Sequence, residues 1–128
     1  EAAVADWATL LRRRRSREQV ARGGWSVFFT LWAGADMRHP GLHAPLRAAG
    51  TRSWVGWPDN PAIEDLRDAW LDAAEEAERL RIADAIQAEA AASLPYVPLG
   101  QVFAPMAVRR DLEGVQPGPP LFWNIRRR

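Results

Sequence analysis

The feature that most constrains this chain is a run of aromatic and β-branched residues, Trp25 to Trp32 (WSVFFTLW). Gly23-Gly24 breaks the chain before this run, and residues of these two kinds favour strands. Because the apolar character is almost continuous, the run predicts a strand that is buried on both faces, as in the middle of an α/β sheet. A central strand needs neighbours on both sides, so we expect further strands or an uncovered apolar edge.

Three helices are predicted from apolar periodicity and capping residues. Ala2 to about Arg14 has apolar residues at three- and four-residue spacing, and it ends in the basic cluster Arg12 to Arg15, which we interpret as a solvated helix end. Asn60-Pro61 is a strong start for a second helix, since asparagine caps free amides and proline tolerates the first helical position. The predicted inner face of the second helix is Ile63, Leu66 and Trp70, and that of a third helix, about Ala74 to Ala92, is Leu80, Ala83, Ile86 and Ala90.

The remaining segments are predicted to be loops and short extended runs. Residues 33–60 lack a sustained period apart from a short helix near Leu42 to Ala48, so they predict a long structured loop. Pro95 is expected to end the helical region. Beyond it we predict two short extended runs within Tyr96 to Val108, a turn-rich linker at Gly114 to Pro120 and a last short strand at Leu121 to Ile125.

The composition fits one soluble globular domain of 128 residues with 48% apolar and 26% charged residues. The net charge of +1 supplies no overall attraction to nucleic acid or an anionic membrane. The absence of cysteine excludes disulfides, thiolate catalysis and cysteine-ligated metals. Glu1 to Val4 lacks the regions of a signal peptide, and the chain opens within a helical pattern, so we expect it to be cut from something longer.

Candidate catalytic, metal and nucleotide sites find little support. His39 and His43 are four residues apart with Asp36 nearby, but Pro40-Gly41 between them disfavours the helical geometry that metal ligation at this spacing requires. No serine lies in a nucleophile elbow. Gly23-Gly24 precedes a predicted strand and does not follow one, so it is not a phosphate loop. We therefore predict no enzyme, no catalytic residue, no metal and no cofactor.

Arginines interleaved with aromatic residues suggest an alternative function, in which a small interaction protein binds single-stranded nucleic acid through phosphate contacts and stacking. Trp54, Trp57 and Trp123 are the plausible exposed platforms for such stacking. The other tryptophans fall on helix inner faces or in the predicted strand, and this weakens the alternative.

Several segments stand out when they are taken in order along the chain. They are DWATLLRRR (Asp6 to Arg14), GGWSVFFTLWAGAD (Gly23 to Asp36), GWPDNPAIEDLRDAW (Gly56 to Trp70), PYVPLGQ (Pro95 to Gln101), RRDLEGV (Arg109 to Val115) and FWN (Phe122 to Asn124). Each motif alone is weak, but their order and spacing together are specific, and they cover nearly the whole chain. This ordered series resembles the carboxyl-terminal part of the family 5 extracellular solute-binding proteins of ABC importers.

The resemblance implies an α/β fold, a partial carboxyl-terminal lobe of a two-lobed periplasmic-binding-protein-like fold of type II. Residues 1–128 would form a single fragment, with about 1–94 from the second lobe and about 95–128 as a crossover and return segment. Proteins of this family close by a hinge over solute and then dock on a membrane permease. The implied partners are a peptide or similar small solute and ABC permease subunits, with no nucleic acid. The implied location is periplasmic or extracellular, with the membrane reached through the transporter or a lipid anchor outside this chain.

The resemblance also implies two ligand-binding residues. In peptide-binding members an aspartate shortly after the tryptophan-containing strand pairs with the ligand's ammonium group, and Asp36 stands in the matching place. Trp32 is expected to form an apolar wall beside it, with core packing as the alternative. Asp36 could instead cap the following turn, as aspartates in such loops often do. Met37-Arg38-His39 departs from the residues common in peptide binders, which leaves the ligand's identity open.

Overall fold

The computed structural model describes residues 2–103, 105–116, 118 and 121–128. The chain separates into two compact units, the first ending at Val97 and the second beginning at Pro98. Parts of the predicted run Tyr96 to Val108 and of the predicted linker Gly114 to Pro120 lie outside the described residues, at Ala104, Pro117, Pro119 and Pro120.

The first helix, α1 (Trp7–Arg13), begins later than predicted because Asp6 caps it. The Asp6 carboxylate accepts hydrogen bonds from the Thr9 amide at 3.0 Å and from the Thr9 hydroxyl at 2.7 Å. These bonds, the hydroxyl first and the amide second, lower the pKa of Asp6. Val4 therefore lies before the helix and is fully exposed, and Trp7 is also exposed, so only Leu10 and Leu11 of the predicted apolar face are partly buried.

The second helix, α2 (Pro61–Asp72), begins at the predicted residue. The Asn60 side chain accepts hydrogen bonds from the amides of Ala62 and Ile63, which is the capping role that its position predicts. Its amide group also donates to Glu89 at 2.7 Å. Since Glu89 belongs to the third helix, α3 (Glu76–Ser93), this bond fastens the start of α2 to its neighbour.

The core of the first unit lies between α2 and α3. Ile82 and Ile86 of α3 are buried together with Leu46 and Ala73. The predicted inner face of α3 was wrong in one position, because Leu80 is 61% exposed. The residues packed partly buried against this core are Leu66, Trp70, Ala90 and Tyr96.

The helical region ends before Pro95, as predicted. Leu94 closes α3 in a left-handed conformation, with φ of 49°. A residue that precedes proline is disfavoured in the helical region of backbone space, so this departure from the helix is expected on local grounds.

The predicted central strand is not formed within the part of the chain that the structure describes. Residues 25–32 form no regular element and have no ladder partner, and Val27, Phe29 and Leu31 are 72%, 70% and 77% exposed. The expectation of an uncovered apolar face is therefore confirmed, while burial on both faces was wrong. The reason is that pairing in a sheet depends on neighbouring strands, which the local sequence cannot supply.

Residues 34–60 form the predicted long loop, and it is built from short 3-10 turns. These turns are Gly34–Met37, Ala44–Leu46 and Gly50–Arg52. The helix expected near Leu42 to Ala48 is reduced to the second of them. An isolated antiparallel bridge joins Ala49, in the second half of the loop, to Asp59, which lies just before the start of α2.

The second unit contains a short antiparallel sheet, in which strand β1 (Leu112–Glu113) pairs with strand β2 (Arg126–Arg127). The last strand thus lies directly after the predicted segment Leu121 to Ile125, which contains a turn. Gly114 has a φ of 78°, and a Cβ there would collide with the Asn124 carbonyl oxygen. Glycine is therefore required at the point where the chain passes close to its own returning segment.

The described elements are thus three α-helices and one two-stranded sheet, in place of the predicted central sheet. None of the described helices is both long enough and apolar enough to cross a bilayer.

Candidate functional site

The extended segment that precedes Asp36 shows a period of two in its exposure. Phe28, Thr30 and Trp32 are partly buried, whereas the residues between them point into solvent. Alternation of this kind is the geometry of an extended chain with one covered face. Continuous apolar character in the sequence concealed this alternation.

The covered face of the segment packs into a group of five rings that we call the aromatic cluster, made up of Trp25, Phe28, Trp32, Trp54 and Trp57. Trp32 meets Trp54 edge-on at 5.1 Å between ring centroids, and Phe28 lies 5.6 Å from Trp54. Trp25 meets Phe28 edge-on at 4.8 Å and lies 6.4 Å from Trp57. Edge-to-face contacts at these separations are favourable because the positive edge of one ring faces the negative face of the next.

Two arginines lie over rings of the aromatic cluster. The guanidinium carbon of Arg14 lies 5.0 Å from the Trp54 centroid and 6.0 Å from that of Phe28, and Arg17 lies 4.4 Å from that of Trp57. The Trp25 indole also donates a hydrogen bond to the Arg14 carbonyl at 3.0 Å. The interpretation of Arg12 to Arg15 as a wholly solvated helix end was therefore wrong for Arg14, which is half-buried.

Two buried donors in and beside the aromatic cluster have no acceptor among the described residues: Trp32 Nε1 within the cluster, and Nε of Arg14, which lies over it. Burial is the main cause that lowers the pKa of Arg14, and the charge of Arg15 acts in the same direction. A buried donor that makes no hydrogen bond destabilises the arrangement that contains it. The contacts between rings and cations must therefore offset this cost.

Asp36 lies in the turn Gly34–Met37, four residues after Trp32. Its amide donates to the Ala33 carbonyl at 3.0 Å, which fixes the backbone. Its side chain is exposed and accepts no hydrogen bond from any residue that the structure describes. The alternative role as a cap of the following turn thus finds no hydrogen bond to support it, and the carboxylate is open to a ligand.

Trp32 is half-buried and contacts Trp54, as the core-packing alternative expects. This contact leaves its proposed role as an apolar wall beside a ligand as a prediction. The structure also shows that the Trp32 side chain is held by its contact with Trp54 in the aromatic cluster.

No group of three or more potential metal ligands occurs among the described residues, His39 and His43 included. His39 meets the Trp70 ring edge-on at 4.3 Å, and its Nδ1 accepts a hydrogen bond from the Gly41 amide. His43 is buried, and its ring lies 5.3 Å from that of Tyr96. Burial lowers the pKa of His43 and raises that of Tyr96.

Sequence reasoning missed Arg14 and Trp54 as parts of the candidate site. Trp54 and Trp57 were predicted as exposed stacking platforms, but both are half-buried, each with an arginine over its ring. The signal that could have indicated their role is the recurrence of both arginine and tryptophan between the end of α1 and the loop before α2. Their contact, however, spans about 40 residues of sequence, and no local pattern predicts it.

No protein-family model matches the chain. A comparison with curated proteins nevertheless finds that the chain is similar to a periplasmic-binding protein of a peptide ABC transporter. It is 37% identical over 128 residues, 99% of its length, to a protein of Sinorhizobium fredii named "probable peptide ABC transporter periplasmic-binding protein y4tO". The chain spans only 24% of the length of that relative. This identity confirms the resemblance found in the sequence, and the coverage fits a carboxyl-terminal portion of such a protein.

Proposed function

We propose that the chain is part of an extracytoplasmic receptor that binds a solute, a peptide by preference, and delivers it to the permease of an ABC importer. The observation that carries this proposal is the 37% identity along nearly the whole chain to a periplasmic-binding protein of a peptide transporter. A role in binding also suits the site, because the exposed carboxylate of Asp36 can hold a charged ligand, whereas no paired nucleophile and general base accompanies it among the described residues.

In this proposal the whole receptor has two lobes that close over the solute, and the chain contributes part of the second lobe. The receptor is periplasmic or extracellular, and it meets the membrane through the transporter or a lipid anchor outside this chain. Its partners are the solute and the permease subunits. Catalysis is not part of the proposed function.

Asp36 is proposed to bind the ammonium group of the ligand, with Trp32 as the apolar wall beside it. The support is geometric: the Asp36 carboxylate is exposed, and its backbone is fixed in a hydrogen-bonded turn. A charge-assisted hydrogen bond from an ammonium to a carboxylate is worth about 1.5 to 3 kcal/mol. Loss of that bond corresponds to a decrease in affinity of about tenfold or more.

The experiment compares trialanine with N-acetyl-trialanine by titration calorimetry on the product of the complete reading frame. Asp36→Asn should weaken the binding of trialanine about tenfold, because the amide removes the charge that faces the ammonium. Asp36→Asn and the wild type should bind N-acetyl-trialanine with equal affinity, since that peptide has no ammonium group. Asp65→Asn is the matched control, because Asp65 is an exposed aspartate of α2. Equal affinity of Asp36→Asn and the wild type for trialanine contradicts the proposal.

The contacts of the aromatic cluster argue against nucleic-acid binding as the alternative function. Arg14 and Arg17 lie over the rings of Trp54 and Trp57, so these cations and platforms engage each other. A base that stacked on Trp57 from that side would have to displace Arg17. Trp123 is exposed, as predicted for a stacking platform, but exposure alone does not favour this function over solute binding.

A further inference from the structure

The segment that carries Trp32 is held in place by side chains alone. No backbone hydrogen bond joins residues 25–32 to any other described part of the chain. Their attachments are the ring contacts with Trp54 and Trp57 and the indole bond from Trp25 to Arg14. The chain that follows the turn Gly34–Met37 is held by the His39 ring against Trp70, so on the side that precedes the turn its position depends on the aromatic cluster.

Trp54, by contrast, lies on a loop whose backbone is firmly bonded. The Ser53 hydroxyl donates to the Pro58 carbonyl at 3.1 Å, and the Gly50 amide donates to the same carbonyl at 2.9 Å. The Trp57 amide donates to the Trp54 carbonyl at 2.9 Å, which closes the turn. Through the bond between Asn60 and Ala48 this loop is continuous with the start of α2. Trp54 is thus a fixed point against which the extended segment can be held.

Arg14 secures the ring of Trp54 from the end of α1. Its guanidinium lies over that ring and also near Phe28, so it bridges the bonded loop and the extended segment. The attraction of a cation for a ring and the cost of the unpaired Nε are of similar size and opposite sign. Arg14 should therefore add little to global stability while it restricts where Trp54 and Phe28 lie.

We infer that Trp54, held by Arg14, is a positioning residue for Trp32 and the Asp36 turn. The inference rests on the proposed function, in which Asp36 meets the ligand. Trp54 itself does not touch the ligand in this account. Trp54 acts by holding the turn in the conformation that binds the ligand. The apparent affinity for the ligand falls in proportion to the populated fraction of that conformation.

The test measures local order and binding separately in the product of the complete reading frame. Hydrogen exchange of the amides of residues 33–38 reports the order of the turn, and near-ultraviolet circular dichroism reports the packing of the tryptophans. Arg14→Met and Trp54→Leu should speed exchange at the turn about tenfold and weaken trialanine binding about fivefold. Trp54→Phe, which keeps a ring, should restore slow exchange and binding.

The matched control is Arg13→Met, because Arg13 is exposed on the same helix. The melting temperature of Arg14→Met should stay within about 2 °C of the wild type, which separates positioning from a general loss of fold. Unchanged exchange at residues 33–38 in both Arg14→Met and Trp54→Leu overturns the positioning role, whatever Asp36→Asn does to binding. Unchanged trialanine affinity in Asp36→Asn instead overturns the proposed function, whatever exchange shows.

Discussion

Glu64 joins the loop before α2 to the helix itself, and its removal should reveal how much this junction stabilises the first unit. Its Oε1 accepts hydrogen bonds from Arg67 Nη1 at 2.9 Å and from the Ala48 amide at 2.8 Å. Arg67 also donates from Nε to the Pro40 carbonyl at 3.2 Å. The Arg67 side chain is only 8% exposed and that of Glu64 is 24% exposed, so water replaces these bonds poorly.

The magnitude follows from what each substitution leaves behind. Glu64→Ala leaves a buried guanidinium without its carboxylate and a buried amide without its acceptor, which together should cost about 3 kcal/mol. Arg67→Met removes the bonds to Glu64 and to Pro40, but the Glu64 carboxylate keeps its bond from the Ala48 amide and is partly exposed to water, so this substitution should cost about 1 to 2 kcal/mol. The double substitution should be less damaging than Glu64→Ala alone, because no buried charge remains unpaired.

The assay is urea unfolding followed by the far-ultraviolet circular dichroism of the helices, with the slope of each transition checked for constancy. Asp65→Ala is the control, since Asp65 is the exposed neighbour of Glu64 and its removal should change the free energy of unfolding by less than about 0.5 kcal/mol. The reasoning is refuted if Arg67→Met destabilises more than Glu64→Ala, or if Glu64→Ala behaves like the control.

The same unfolding assay tests three other positions. Trp70→Ala should cost about 2 to 3 kcal/mol, below the full range for core aromatics, because Trp70 is only partly buried; a neutral effect would contradict its packing against the core. Leu80→Ala should cost less than about 0.5 kcal/mol and Ile86→Ala about 2 to 4 kcal/mol, and equal effects would contradict the observed face of α3. Burial, assisted by the charge of Arg67, lowers the pKa of His43 from 6.5, so protonation favours the unfolded chain. The free energy of unfolding should therefore be retained above pH 6.5 and should fall as the pH drops below 6.5. If a His43→Gln variant has the same pH dependence as the wild type, another group is responsible.

The helix boundaries that depend on local chemistry were predictable from the sequence. Asn60-Pro61 predicted the start of α2, because the cap and the first helical residue act within one turn of the chain. Pro95 likewise predicted the end of the helical region. Asp6 caps α1 in the same way, and only the helix pattern extended back to Ala2 obscured it.

The buried face of α3 was less predictable, because the helix is rich in alanine and the apolar contrast around it is weak. The sequence allowed a face through Leu80 and Ile86, whereas the structure buries Ile82 and Ile86. Which of two similar stripes is buried depends on the helix that packs against it, here α2.

For the candidate site, the sequence by itself determined the residues: an aspartate placed shortly after an aromatic, extended segment, in an order that resembles a solute-binding protein. Only the tertiary structure decided how that segment is held. The contacts of Arg14 and Trp54 with it join residues far apart in the chain, and such contacts arise from packing, which local sequence patterns do not encode. The alternation of covered and exposed residues from Val27 to Trp32 was likewise set by the aromatic cluster. An uninterrupted apolar run has two similar faces, and neither is preferred until other side chains pack against it.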